Sequence, residues 1–469
     1  MRRTVSVILL IFIAFSAFSQ TSPVKPTVDE RTELLSIVFR LAGSDEYVNN
    51  AIPAYVKDID TWFAPSREGE LIKYAQKLGK TSGVSYDAVM SMAGNLVITD
   101  SIRLKVHLKE NSLDKRWGKP EVEKFIKLLN RFYVETKFHE FFENHKALYS
   151  VAENNFSKIL TQVDFTWFQS FYGGKPAEGF NLIISLVNGG GNYGVKAMYN
   201  DGREDIYAIM GNWKTDSLGQ PVYTKDVIGT IIHEYNHSFC NPLIDAYFKQ
   251  MEDVAGKFYK EEKDVLQQQA YGTAKTMCYE ILVRACVIKY YQTAKLSPEA
   301  VNRMIIAEKS RGFLWINYLV DELSVYEGKR DKYPQLKDFM PEIVSMQNRL
   351  TPSKLKAEFD FRCARIVSSN IADKSKKVDP GITEITLKFD VPMNTTAKGL
   401  RYGKKGKEYF PEIPKNARSK WDKETKTEWS LPVTLKPGTW YSISFPAEFF
   451  MSEEGYPLKE TYYLDFKTR

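Results

Sequence analysis

Val227-Ile228-Gly229-Thr230-Ile231-Ile232-His233-Glu234-Tyr235-Asn236-His237-Ser238-Phe239 is the stretch from which the rest of the chain can be read. It contains the pattern H-E-x-x-H. Two histidines four residues apart on an α-helix share one face and can grip a single metal ion. The glutamate after the first of them is the residue type that takes a proton from water at such a site. At about 100° per residue, Ile228, Ile231, Ile232, Tyr235 and Phe239 fall on one stripe. His233 and His237 fall opposite, with Asp226, Gly229 and Thr230. The pattern therefore predicts a helix with a core face and a separate metal face. Only 5 histidines occur in 469 residues, so an accidental pair at this spacing is uncommon. Glu234 is the one charge between Ile228 and Phe239.

Composition sets the frame. The length is long for one domain and comfortable for two or three. A hydrophobic content of 43% with 13% aromatics supplies large cores, and the formal charge of +7 is scattered. Basic patches such as Lys404-Lys405 with Lys407 are isolated and read as solvated, which argues against a nucleic-acid partner.

Residues 1–19 read as a secretory signal: Arg2 and Arg3 precede the apolar run from Val5 to Ala17, and Ala17-Phe18-Ser19 offers small residues at the cleavage site. No cysteine stands there, and no later segment is apolar enough to be transmembrane. The expectation is an exported protein, periplasmic or extracellular, with a disordered leader over 20–30. Cys240, Cys278, Cys286 and Cys363 are too few for a disulfide framework and read as free buried thiols; a Cys240 bridge to Cys278 or Cys286 is the alternative.

Helices are expected over Glu33–Ala42, 68–79 and 120–148. His139 and His145 in the last of these are six apart and diverge around the helix, so they are no second metal pair. Phe180 to Val187 reads as a strand. Asn188-Gly189-Gly190-Gly191-Asn192-Tyr193-Gly194 lacks the Gly-Lys-Ser/Thr of a phosphate loop. It reads as a tight turn closing a hairpin with Asp205–Met210, or as bare backbone approaching a substrate. Thr224 or Asp226 begins the histidine helix and Asn241-Pro242 ends it. From Leu243 to about Gln347 the chain reads as helical, with one long segment over Lys263–Tyr291 and breaks near Gly328 and Pro334.

Two histidines do not complete a metal site, because catalytic zinc takes three protein ligands and leaves one position open. No histidine follows His237, so a downstream ligand is a carboxylate or a thiolate. Glu280 is the leading candidate: it lies in the apolar stretch Thr276 to Ile288, where a lone carboxylate is costly unless paired. Arg284, one turn on, offers it an ion pair instead. Glu252, Glu261 and Glu262 sit in charged surroundings and are weaker choices.

Together His233, Glu234, His237 and Glu280 resemble the zincin metallopeptidases of the glutamate-zincin group. Leu41-Ala42-Gly43, Gly190-Gly191-Asn192-Tyr193-Gly194, the His-Glu pair and Glu280 to Ala285 look like an exported bacterial zincin family catalogued without assigned function, over roughly residues 30–350. The resemblance implies Zn2+ on His233, His237 and Glu280, with Glu234 as base for peptide-bond hydrolysis through a zinc-activated water. An oxyanion donor is also expected, for which Tyr193, Tyr271 and Tyr326 are candidates.

After Leu350 short strands take over, among them Thr383–Phe389, Trp440–Phe445 and Tyr462–Phe466, as in a β-sandwich. Val378-Asp379-Pro380-Gly381, Phe389-Asp390-Val391-Pro392-Met393 and Leu435-Lys436-Pro437-Gly438-Thr439-Trp440-Tyr441 resemble bacterial immunoglobulin-like domains from about Cys363 to Thr468. Such a module implies contact with other protein or cell-surface material. The expected fold is α+β: a mainly helical zincin-like domain with a small sheet over 31–355, then a β-sandwich over 361–469. The expected function is an exported zinc peptidase acting on peptides or proteins. The alternative is a surface binding or scaffold protein whose zinc site is structural, with Cys240 and Cys278 joining the histidines, or degenerate.

Overall fold

The structure is a computed structural model that describes residues 24–48, 51–173, 179–396 and 399–469. The signal expected over 1–19 lies outside the described residues. The leader is ordered where it is described. Pro26–Val28 forms strand β1, and Asp29 caps helix α1 (Glu30–Leu41) by accepting from the Arg31 and Thr32 N–H groups. Three residues carry no periodicity to read, and the proline suits an outer strand.

The fold is α+β. Its first sheet contains β1, β2 (Phe180–Ile184), β3 (Tyr193–Met198) and β4 (Glu204–Met210), in the order β1-β2-β4-β3. β1, β2 and β4 are parallel, and β3 runs antiparallel to β4. The hairpin is thus β3–β4, not the expected pair across the glycine-rich turn. That turn instead carries the chain over the end of β4, backbone against backbone: a Cβ on Gly211 would lie 2.2 Å from the Gly189 carbonyl oxygen.

The histidine helix, α3, spans Val227–Glu261 and passes through Pro242, where an end was expected. Proline removes one backbone donor, but Ile244, Met251, Ala255 and Phe258 beyond it are buried, and packing overrides the local preference. The segment expected over Lys263–Tyr291 is two helices. A break at Ala270, whose φ is +65°, precedes α4 (Ala274–Thr293). Residues 120–148 likewise divide, at Lys137 with φ +50°, into α2 (Lys119–Glu135) and Phe138–Asn144, and a third helix starts at Lys146. Side chains from Val28 to Leu355 form one hydrophobic core.

Helix α5 (Pro352–Arg362) leads to a second core, filled from Ala364 to Phe466. Around it lie β5 (Ile366–Ser369), β6 (Glu384–Phe389), β7 (Arg401–Tyr402), β8 (Lys420–Trp421), β9 (Glu428–Pro432), β10 (Trp440–Phe445) and β11 (Tyr462–Lys467). They make two antiparallel sheets, β8-β9-β6-β5 and β11-β10-β7. Alternate residues, among them Ile385, Leu387, Trp429, Ile443, Leu464 and Phe466, point into the shared core. Among the described residues no helix is long and apolar enough to cross a membrane.

Candidate metal centre

The two faces expected of α3 are present. Ile231, Ile232 and Tyr235 are fully buried, while His233 and His237 are partly open. α3 packs along α4, which brings Glu280 up to the histidines. The two Nε2 atoms are 3.1 Å apart. His233 Nε2 lies 3.5 Å from Glu280 Oε2, and His237 Nε2 lies 3.5 Å from Glu280 Oε1. Among the described residues these three form a group able to hold a metal ion.

The donor set fits zinc. Bonds of about 2.0–2.1 Å in a tetrahedral shell separate neighbouring ligand atoms by about 3.3 Å, close to the spacing found. Burial, helped by the positive charges of Arg284 and Arg311, lowers the His233 pKa to about 3, against the pull of Glu280. The imidazole is thus neutral, the state in which it ligates. Burial also raises Glu280, but the imidazoles, Arg284 and the Tyr271 hydroxyl outweigh it and hold the carboxyl below its ordinary value. His237 Nδ1 faces Asn241 Oδ1 at 3.2 Å, which fixes the ring with Nε2 toward the site.

Arg284 was weighed as a competing partner of Glu280, and the structure gives both relationships at once. Arg284 Nη2 donates to Glu280 Oε2 at 3.2 Å and to the Tyr271 hydroxyl at 2.9 Å, while its Nη1 donates to Glu308 at 2.8 Å. Tyr271 in turn donates to Glu280 Oε2 at 3.0 Å. Both protein donors thus fall on Oε2, which also faces His233, while Oε1 faces His237.

Glu234 is 6% exposed, and burial raises its pKa to about 7 although His237 opposes the shift. The nearby Gly194 N–H also opposes the rise. β3 lies so close to α3 that a Cβ on Gly194 would be 2.0 Å from the Glu234 carbonyl oxygen; only glycine permits that approach. The glycine-rich run thus packs bare backbone against α3 at Gly194.

A cleft of about 1540 Å³ opens over these groups. Its walls include Tyr193, Tyr271, Asn241 and the segment 104–117. Tyr326 is elsewhere: its buried hydroxyl donates to the Phe171 carbonyl at 2.7 Å, which removes it as an oxyanion donor. Glu262 is engaged by Lys356 at 3.1 Å. Cys240 and Cys278 stand outside the metal group. All four cysteines are free and buried, and Cys240 faces Cys286 at 3.8 Å and the Tyr172 hydroxyl at 3.2 Å. His139 pairs with Glu30 and His145 with Asp58. Sequence reasoning missed Tyr271 as a partner of Glu280, Asn241 as a partner of His237, and the whole wall 104–117. Asn241 was hidden by its reading as a helix stop, and loop residues carry no periodic signal.

Residues 26–346 match a family described as "Domain of unknown function (DUF4932)". The chain belongs to this family. No curated protein matches it. Among solved structures, domains 1–6 of the surface layer protein SbsC share 13% identity over 51% of this chain and 33% of that one, at a TM-score of 0.18. The S-layer protein rSbsC(31-844) shares 16% identity over 48% and 33%, at a TM-score of 0.17. The chain thus spans about a third of either, and TM-scores of this size define no common fold.

Proposed function

We propose that this chain is an exported zinc metallopeptidase of glutamate-zincin type, with its catalytic domain over 31–355 and an immunoglobulin-like β-sandwich over 361–469. The observation that carries the reading is the meeting of His233, His237 and Glu280 at the foot of an open cleft, with the buried carboxyl of Glu234 beside them. When bound there, zinc supplies a Lewis acid for a carbonyl oxygen and acidifies a water molecule.

The chain's own residues do the rest. Glu234, poised near neutrality, takes a proton from the attacking water and returns it to the departing amine. The Gly194 N–H favours the anionic form of that carboxyl. Tyr271 and Arg284 hold Glu280 as an anion turned toward the histidines. A cleft larger than the usual small-molecule pocket of about 300–1,000 Å³ suits a polypeptide substrate. A leader over 1–19 supports export to the periplasm or the medium, and the C-terminal module is a surface for other protein or cell-surface material.

The test is metal analysis of the purified mature protein together with cleavage of a peptide library, read by mass spectrometry. About one zinc per chain and zinc-dependent cleavage are expected. One zinc per chain without cleavage of any peptide would favour a binding scaffold with a degenerate site.

A further inference from the structure

We propose that Tyr86 is a specificity-determining residue of the cleft, whose ring packs against an apolar or aromatic side chain of the bound peptide. This rests on the peptidase reading above.

The first observation is the backbone. Tyr86 has φ +51° and ψ −124°, a combination that a bulky residue rarely adopts. It is imposed from several sides. The Tyr86 N–H donates to Glu46 Oε1 at 2.9 Å, and its carbonyl accepts from the Tyr47 hydroxyl at 3.2 Å. The preceding carbonyl, of Ser85, accepts from Arg116 at 3.3 Å, and Arg116 is itself clamped by Asp87 and Asp114 at 2.7 Å each. Such strain persists only where the surroundings over-determine it, and it clusters at binding sites.

The second observation is what the strain presents. The Tyr86 side chain is 49% exposed, so burial of its ring returns little of the cost. It stands in the wall of the metal cleft. Tyr193 and Glu234 line the same cleft.

The third observation concerns the other obvious way of holding a peptide. An extended substrate can add to a free sheet edge by main-chain pairing. Toward Met198 the outer edge of β3 is already taken by this chain. Lys196 O accepts from Asn95 Nδ2 at 3.3 Å, Met198 N donates to Ser112 Oγ at 2.8 Å, and Met198 O accepts from the Lys109 N–H at 2.8 Å. A peptide lying beyond that end meets wall side chains, and Tyr86 is the exposed ring the fold strains to offer.

The experiment uses the full-length zinc-loaded protein and one set of fluorescent peptides that differ at a single position, occupied by Leu, Phe, Ala or Asp. Cleavage is followed with the parent, and binding with Glu234→Gln. Each is compared with Tyr86→Gly and Tyr86→Phe in the same background. Tyr86→Gly should raise KM, and weaken binding, about ten-fold for the Leu and Phe peptides. It should erase their preference over Ala, leave kcat and zinc content in place, and leave the melting temperature equal or higher, because glycine accepts the backbone without strain. Tyr86→Phe should keep the preference. Unchanged KM and preference in Tyr86→Gly would overturn the proposal, as would a lowered melting temperature with equal losses for every peptide. If the peptides are bound with the preference but never cleaved, the peptidase reading fails and the Tyr86 site stands. If the parent binds none of them, the Tyr86 site falls.

Discussion

The Tyr271 hydroxyl donates to Glu280 Oε2 at 3.0 Å, from a loop that ends just before the helix carrying Glu280. The tyrosine thereby holds in place the carboxylate whose two oxygens face His233 and His237. Partners of this kind typically change metal affinity 10- to 100-fold. Tyr271→Phe should weaken zinc binding by about that factor in competition with a chelating dye, with little change in melting temperature. Glu280→Ala should weaken it far more, whereas Cys240→Ser and Cys278→Ser should leave it unchanged.

Glu234 touches the site without belonging to the metal group. Glu234→Gln should keep the zinc content of the parent while turnover falls by about 10²–10⁴-fold. Equal turnover in the two proteins would remove Glu234 from the chemistry.

Outside the cleft, Glu33 gives the fold a dependence on pH. Its carboxylate accepts from the Tyr55 hydroxyl at 2.7 Å and from the Leu186 N–H at 2.8 Å, yet burial dominates and raises its pKa from 4.5 to about 7. The folded state thus holds this proton more tightly than the unfolded chain. Its contribution is fully present below about pH 4.5 and is lost as pH rises to about 7, which lowers stability by an amount on the order of 3 kcal/mol. Denaturant midpoints measured from pH 4.5 to 8 should fall with rising pH. Glu234 titrates in the same window, so the useful quantity is the difference from Glu33→Gln, in which the decline should be smaller.

The two cores meet through α5, with the Phe359 and Tyr456 rings 5.7 Å apart and an Arg362–Glu454 ion pair. A fragment ending at Arg362 should therefore unfold cooperatively and bind zinc as the full chain does, with a melting temperature lowered by a few degrees. A cut at Lys356 would instead divide α5 and should cost more. Calorimetry of the two fragments distinguishes these outcomes.

How much of this was legible in the sequence follows from where the physics is local. The periodicity of Ile228, Ile231, Ile232 and Tyr235 marked one face of α3, and the spacing of His233 and His237 marked the other. Glu280 was legible because a carboxylate in an apolar helix demands a partner. Alternation in 384–389 and 440–445 announced the C-terminal strands. What escaped was decided by distant contacts: α3 continues through Pro242 because its far half is buried, and β4 inserts between β2 and β3 because parallel pairing leaves no local mark. Tyr86 escaped for the same reason, since its backbone is set by Glu46, Tyr47 and Arg116, none of which signals a role alone.

Strand β1 imposes an order of events on synthesis. Pro26–Val28 emerge from the ribosome early, yet they pair in parallel with Leu182–Ile184, and the sheet gains its second inner strand only once Glu204–Met210 has been made. Closing so long a loop is slow, so the start of the chain waits undocked while the helices after it form. An affinity tag or reporter joined just ahead of Pro26 would be carried to the sheet's outer strand during that wait. For production of active protein, the C-terminal end is the better place for a fusion.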